Sequence, residues 1–268
     1  MKQSDTLARA FCRRRARLVA MSLTLLSAAC ASGQEPEPAE FVATFSILAY
    51  DPATEEIGGA VQSRVFSVGN GILWAKGGVG AAVTQALVDV SYGPRSLELL
   101  EQGVDVEEVV RRIHAEDPDR WHHAWPKTGR QLAVIDARGR HAVLTGSQVA
   151  PWAGHASSRY ATAQGNLLAS EKVVSEMIRA FEETDGHLSV RLVAALRAGQ
   201  AAGGDIRGMQ SAALIVVKKD GGVWLNNDVV MRLQVDDHAE PIAELERPRA
   251  PACFANQLNS VPADRLGS

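Results

Sequence analysis

Cysteine is nearly missing from the body of this 268-residue chain: Cys12 and Cys30 fall near the start and Cys253 near the end. No internal disulfide can therefore staple the body, and its stability must come from a core. The apolar run from Leu18 to Ala29 is about a dozen residues long, short of the roughly 20 a bilayer crossing needs. No Pro/Gly/Ser-rich linker, internal repeat or low-complexity run interrupts the stretch from Val42 to Arg249, which suits one large domain. Histidines three or four residues apart, the helical metal-ligand spacing, are also absent.

What is present at the N-terminus reads as an export signal over residues 1–29, with Arg13, Arg14, Arg15 and Arg17 ahead of the apolar run. The run ends in Leu-Leu-Ser-Ala-Ala-Cys, which resembles a bacterial lipoprotein signal with Cys30 as the lipidated residue; an ordinary secretory cut near Ala31 or Gly33 is the alternative. Residues 30–41 are polar and Pro-containing, as a flexible tether would be, and residues 250–268 form a C-terminal tail. The formal charge of the whole chain is −3; losing residues 1–29 removes six Lys/Arg and one Asp, leaving 22 basic against 30 acidic residues and a charge of −8. With no basic stripe, nucleic acid is not an expected partner. The expected location is the periplasm or cell envelope, with membrane contact only through a lipid at Cys30, and a homo-oligomer is compatible with the sequence.

The body opens with a hairpin. Phe45, Ile47 and Ala49 alternate with Thr44, Ser46 and Leu48, Asp51-Pro52 supplies the turn, and Ile57 to Val61 returns. Together with Gly71 to Lys76 and Val79 to Gln85, these runs suggest four consecutive antiparallel neighbours. Helices are expected over Arg95 to Gln102 and over Val106 to Ala115, the latter opened by a capping box of Asp105 and Glu108. A polar loop with Trp121, His122, His123 and Trp125 leads to strands at Arg130 to Asp136 and His141 to Thr145, joined by Ala137-Arg138-Gly139-Arg140, and to an extended segment from Tyr160 to Asn166. Helical periodicity returns in Val173, Val174, Met177, Ile178 and Phe181 and in Leu188, Leu192, Val193 and Leu196; Gln210 to Lys218 and Val229 to Val235 read as core strands. Blocks in this order imply an α+β fold, two sheets between two helical layers.

That order, with a hydroxyl residue leading the first strand, resembles the N-terminal-nucleophile (Ntn) hydrolase architecture, a four-layer αββα sandwich. More closely, the chain resembles the bacterial family catalogued as domain of unknown function 1028, which is assigned to that superfamily by fold. The resemblance is carried by Thr44-Phe45-Ser46-Ile47, Ala60-Val61-Gln62-Ser63-Arg64, Gly78-Val79-Gly80-Ala81, Thr84-Gln85-Ala86, Ser91-Tyr92-Gly93-Pro94 and Trp152-Ala153-Gly154-His155. It continues through Gln164-Gly165-Asn166, Ala201-Ala202-Gly203-Gly204-Asp205, Gln210-Ser211-Ala212 and Val235-Asp236-Asp237-His238, covering about residues 43 to 246. Many relatives begin Met-Thr-Phe-Ser, so loss of Met bares the threonine. In this chain Ala43 precedes Thr44, and exposure requires self-cleavage or another protease.

The resemblance implies an amidohydrolase acting on a small N-acyl or peptide amide, with Thr44 as nucleophile and its freed α-amine, of pKa about 7.7–8.0, as base. Ser63 and Arg64 end the second strand beside it; the Arg64 charge can hold the amine neutral or its fork can bind a substrate carboxylate, a salt-bridged strand end being the alternative. Thr84, Gln85 and Asn166 are candidate oxyanion donors, and Asp205 is a candidate for orienting substrate or amine, a turn aspartate being the simpler account. No cofactor is expected. A metal is disfavoured because adjacent strand residues such as Asp236 and Asp237 point to opposite faces, and Asp237 is expected to cap a helix over Pro241 to Glu246. The alternative function is a non-catalytic envelope ligand-binding protein on the same scaffold.

Overall fold

The computed structural model describes residues 44–149 and 152–247. The export signal, the tether, Cys30, Cys253, the C-terminal tail and the expected strand start at Val42 lie outside the described residues. Ten strands and five helices follow in the order β1 (Thr44–Asp51), β2 (Glu56–Ser63), β3 (Leu73–Lys76), β4 (Gly80–Ala86), α1 (Tyr92–Glu101), α2 (Val106–Ala115), β5 (Arg130–Asp136), β6 (His141–Thr145), β7 (Ala153–Ser157), β8 (Ala161–Asn166), α3 (Lys172–Glu183), α4 (Leu188–Ala201), β9 (Ser211–Val217), β10 (Val229–Val235) and α5 (Pro241–Leu245). No helix among the described residues is long and apolar enough to cross a membrane.

The strands form two antiparallel sheets, one six-stranded in the order β10-β9-β2-β1-β8-β7 and one four-stranded in the order β3-β4-β5-β6. The first four strands are thus not four consecutive neighbours. The β1–β2 and β3–β4 pairs form as expected, but the chain changes sheet between β2 and β3, and β2 takes β9 as its second partner. Its glycines permit this: a Cβ on Gly58 would lie 2.5 Å from the Ile215 carbonyl oxygen of β9.

Strand alternation sorts the apolar residues into three cores. Phe45, Ile47 and Ala49 of β1 pack with Val173, Met177 and Phe181 of α3 and with Leu192 and Leu196 of α4. Leu48 of β1 and Val61 of β2 turn the other way and meet Ala81, Val83, Ala133 and Ile135 of the four-stranded sheet. The outer face of that sheet, with Ala82, Leu132 and Val134, takes Val106, Val109 and Ile113 of α2 together with Tyr92 of α1.

Two local expectations change. Asp105 caps α2 by accepting from the Glu107 N–H, but Glu108 pairs with Arg111 and not with the cap, so the reciprocal half of the box is missing. Asp237 does not cap α5, whose N-cap is Glu240; the Asp237 carboxylate accepts from Gln210 Nε2, and it is His238 Nδ1 that accepts the Glu240 N–H.

Candidate functional site

Register alone assembles four polar residues into a row at one end of the six-stranded sheet. Ser211 of β9 pairs with Ser63 of β2, Ser63 with Thr44 of β1, and Thr44 with Asn166 of β8. All four are buried. The Thr44 hydroxyl donates to Ser63 Oγ at 3.1 Å, and Asn166 Nδ2 lies 3.5 Å from the Thr44 carbonyl oxygen. Three residues that are distant in sequence, Thr44, Ser63 and Asn166, are therefore brought together.

Behind the row, the polar face of β1 continues into a chain of buried amides between the sheets. Gln164 Nε2 donates to Ser46 Oγ at 2.7 Å, Ser46 Oγ to Gln85 Oε1 at 2.7 Å, and Gln85 Nε2 to Gln131 Oε1 at 2.7 Å. Gln131 Nε2 closes the chain on Thr145 Oγ1 at 2.9 Å and the Gly165 carbonyl at 3.0 Å. Gln85 is thus next to Thr44, to whose carbonyl it also donates at 3.4 Å, but its N–H groups are committed within the protein. Ser46, Gln131 and Gln164 were not singled out as site residues. Ser46 and Gln164 have a sequence signal in period two, since Thr44 and Ser46 share one strand face, as do Gln164 and Asn166; Gln131 has no such signal.

The remaining candidates take other parts. Thr84 lies on the opposite face of β4 from Gln85, and its hydroxyl donates to the Asp89 carbonyl at 3.3 Å, so it is not brought to Thr44. Arg64 is exposed; its guanidinium donates to the Arg207 carbonyl, and it has no carboxylate partner among the described residues. Asp205 is buried and accepts from the Arg64 N–H at 3.2 Å and from the Arg207 N–H at 2.8 Å, while pairing with the Arg207 guanidinium at 2.9 Å. It is a turn aspartate that ties the end of β2 to the loop after Gly203 and Gly204, whose φ of 116° and 53° suit glycine.

Three of the eight non-glycine residues in the left-handed region among the described residues lie at the same end. Ala86 ends β4 with φ 67°, Leu167 follows Asn166 with φ 51°, and Ser67, just after β2, has φ 55°. Such conformations cost about 1–3 kcal/mol each and tend to cluster at functional sites.

A second polar cluster lies on the outer side of the four-stranded sheet, where Arg130 pairs with Asp117 at 3.2 Å and the Tyr92 hydroxyl donates to Asp117 at 2.7 Å. Burial, then the bond to Asp117, pushes the Tyr92 hydroxyl pKa up. Burial alone would raise the Asp117 carboxyl too, but the Asp119 N–H, the Tyr92 hydroxyl and Arg130 outweigh it and hold the carboxyl below its usual range. Among the described residues no three His, Cys, Asp or Glu side chains converge as metal ligands.

The two antiparallel sheets and five helices define a mixed α+β protein, and comparison supplies its family. Residues 44–245 match the family of unknown function DUF1028, and the chain belongs to that family. It is similar to protein SPO2555 from Silicibacter pomeroyi, whose crystal structure is assigned to the same family: the identity is 31% and the TM-score 0.70, over 82% of this chain and 95% of that one. A search of curated proteins finds no match.

Proposed function

We propose that this protein is an exported amidohydrolase of the N-terminal-nucleophile type, an αββα sandwich in which Thr44 attacks a small amide such as an N-acyl amino acid. The observation that carries the reading is that Thr44 stands at the first position of the family match and heads β1, with its hydroxyl held at 3.1 Å by Ser63. The three apolar cores, between helices and sheet, sheet and sheet, and sheet and helices, support the sandwich.

The chemistry begins with scission before Thr44. The freed α-amine takes the Thr44 hydroxyl proton, the oxygen adds to the substrate carbonyl, and the amine returns the proton to the leaving nitrogen as the C–N bond breaks. Water then hydrolyses the Thr44 ester. Arg64, exposed and unpaired by any carboxylate among the described residues, is the group to hold a substrate carboxylate. Export, with a lipid on Cys30, is part of the same proposal; palmitate labelling that vanishes in Cys30→Ala is the expected result.

The test is the mature N-terminus, by intact mass and terminal sequencing of the expressed full chain. A fraction starting at Thr44 is expected, with processing and turnover of N-acyl amino acids abolished in Thr44→Ala and partly kept in Thr44→Ser. Removing the nucleophile costs several orders of magnitude in rate. A chain that always begins at or before Ala43, and whose Thr44→Ala variant binds ligand like the wild type, is a binding protein instead.

A further inference from the structure

Asn166 is one hydrogen bond short of satisfied. Its side chain is buried, and its Oδ1 has no partner, while Nδ2 faces the Thr44 carbonyl at 3.5 Å and Gln131 Oε1 at 3.3 Å. Both of those partners are acceptors, which fixes the nitrogen on that side and turns the oxygen away from them. The Gln131 oxygen is itself anchored by Gln85, so the Asn166 amide has no alternative orientation that keeps these bonds. An orphaned buried acceptor in a native protein calls for an explanation, and this one lies on the residue paired directly with Thr44.

We infer that Asn166 Oδ1 is the acceptor for the α-amine of Thr44 once the bond before it is cut, which makes Asn166 a positioning residue for the base and not an oxyanion donor. The role rests on the freeing of Thr44 proposed above. Scission turns a peptide nitrogen with one N–H into an amine with two, or an ammonium with three, so it creates new donors at this residue. The acceptor that lacks a partner in the uncut chain then gains one. The Nδ2 group, committed to Thr44 and Gln131, is in turn a poor candidate for a developing oxyanion. A carbonyl acceptor favours the protonated amine, so Asn166 raises the amine pKa relative to a site without it.

The experiment uses the chain prepared to begin at Thr44, where the family match starts; the Silicibacter protein, 95% of which matches 82% of this chain, folds with little beyond that shared part. The apparent pKa of the Thr44 amine is read from the pH dependence of its acylation by limiting acetic anhydride, with the N-terminal peptide quantified by mass spectrometry. Asn166→Ala should lower that pKa by about half to one unit, the equivalent of one net hydrogen bond, and Asn166→Asp should raise it. Circular dichroism checks folding; should Asn166→Ala fail to fold, Asn166→Ser, which keeps a shorter acceptor, should give an intermediate pKa. An amine pKa unchanged in Asn166→Ala or Asn166→Ser overturns the inference, and a fall in kcat without that shift returns Asn166 to the oxyanion role. If the pKa moves as expected but no form hydrolyses N-acyl amino acids, the amine contact stands and the nucleophile reading fails.

Discussion

Replacing Gln131 by leucine isolates the value of the buried amide chain, because the two side chains are similar in size and little cavity results. Gln131 Oε1 accepts from Gln85 Nε2 at 2.7 Å and from Asn166 Nδ2 at 3.3 Å, and its own amide serves Thr145 and Gly165. Leucine strands two buried amide donors and removes a donor from three acceptors, Thr145 Oγ1, the Gly165 carbonyl and, at 3.5 Å, the Gly154 carbonyl. At about 1–3 kcal/mol for a stranded group, and with Thr44 O taking up part of the loss, the net cost is about 2–4 kcal/mol. That is a large share of the roughly 5–15 kcal/mol typical of a folded domain. Gln62→Leu is the control: Gln62 is equally buried, but its Oε1 has no partner and its Nε2 donates only to Gly208 O at 3.3 Å. Its loss relieves one orphan and strands one carbonyl, so the change should stay within about 1 kcal/mol. Urea unfolding at unchanged m reads the difference as a midpoint about 1–2 M lower for Gln131→Leu than for Gln62→Leu. Equal midpoints would refute the reasoning, since burial alone does not distinguish the two glutamines.

Two further expectations concern charge. Arg130→Leu leaves Asp117 buried beside Tyr92 without its cation and should cost about 3–5 kcal/mol in urea unfolding. The folded pKa of Asp117 is lowered, so its contribution is present above the unfolded value of about 3.9 and is lost as pH falls through the folded value; Asp117→Asn should flatten the acid limb of the stability curve. His187, just before α4, runs the other way. The Glu56 carboxylate at 3.1 Å raises its pKa, against burial and with help from Asp51, so its contribution is complete below about 6.5 and lost as pH rises through the raised value. In Glu56→Gln the NMR titration of His187 should move down and that loss of stability should disappear.

The β1–β2 hairpin was legible because alternation and Asp51-Pro52 are local signals, and α3 and α4 were legible from apolar spacing. The choice of sheet was not: nothing near Ser63 says that β2 takes β9 as its neighbour while the next strand joins another sheet. β7 was missed because Ala-Gly-His-Ala-Ser carries little strand preference and is held by pairing with β8 at the sheet edge. Thr84 and Gln85 show the same boundary at the scale of one residue. Adjacent strand positions must face opposite ways, but only the tertiary arrangement decides that Gln85 looks toward Thr44 and Thr84 toward the Asp89 carbonyl. Asp205 was legible as a turn residue, since an aspartate after two glycines accepts its own turn's N–H groups.

The amide chain also explains how Thr44 comes to its position. From Gln164 through Ser46 and Gln85 to Gln131 the hydrogen bonds run in one direction, so reversing any one amide would set donor against donor or oxygen against oxygen at the next link. A slip of β1 by one residue against β8 would carry Ser46 into the apolar core of α3 and α4 and bring Phe45 or Ile47 against the glutamines. Apolar packing alone specifies which face of β1 is buried against the helices. The polar face adds a penalty for every other alignment, including the two-residue slips that preserve the facing pattern, because Gln164 would lose Ser46 and Asn166 would lose Thr44. The pairing of Thr44 with Ser63 and Asn166 is thereby fixed by interactions farther along the strand, independently of whether the bond before Thr44 is intact.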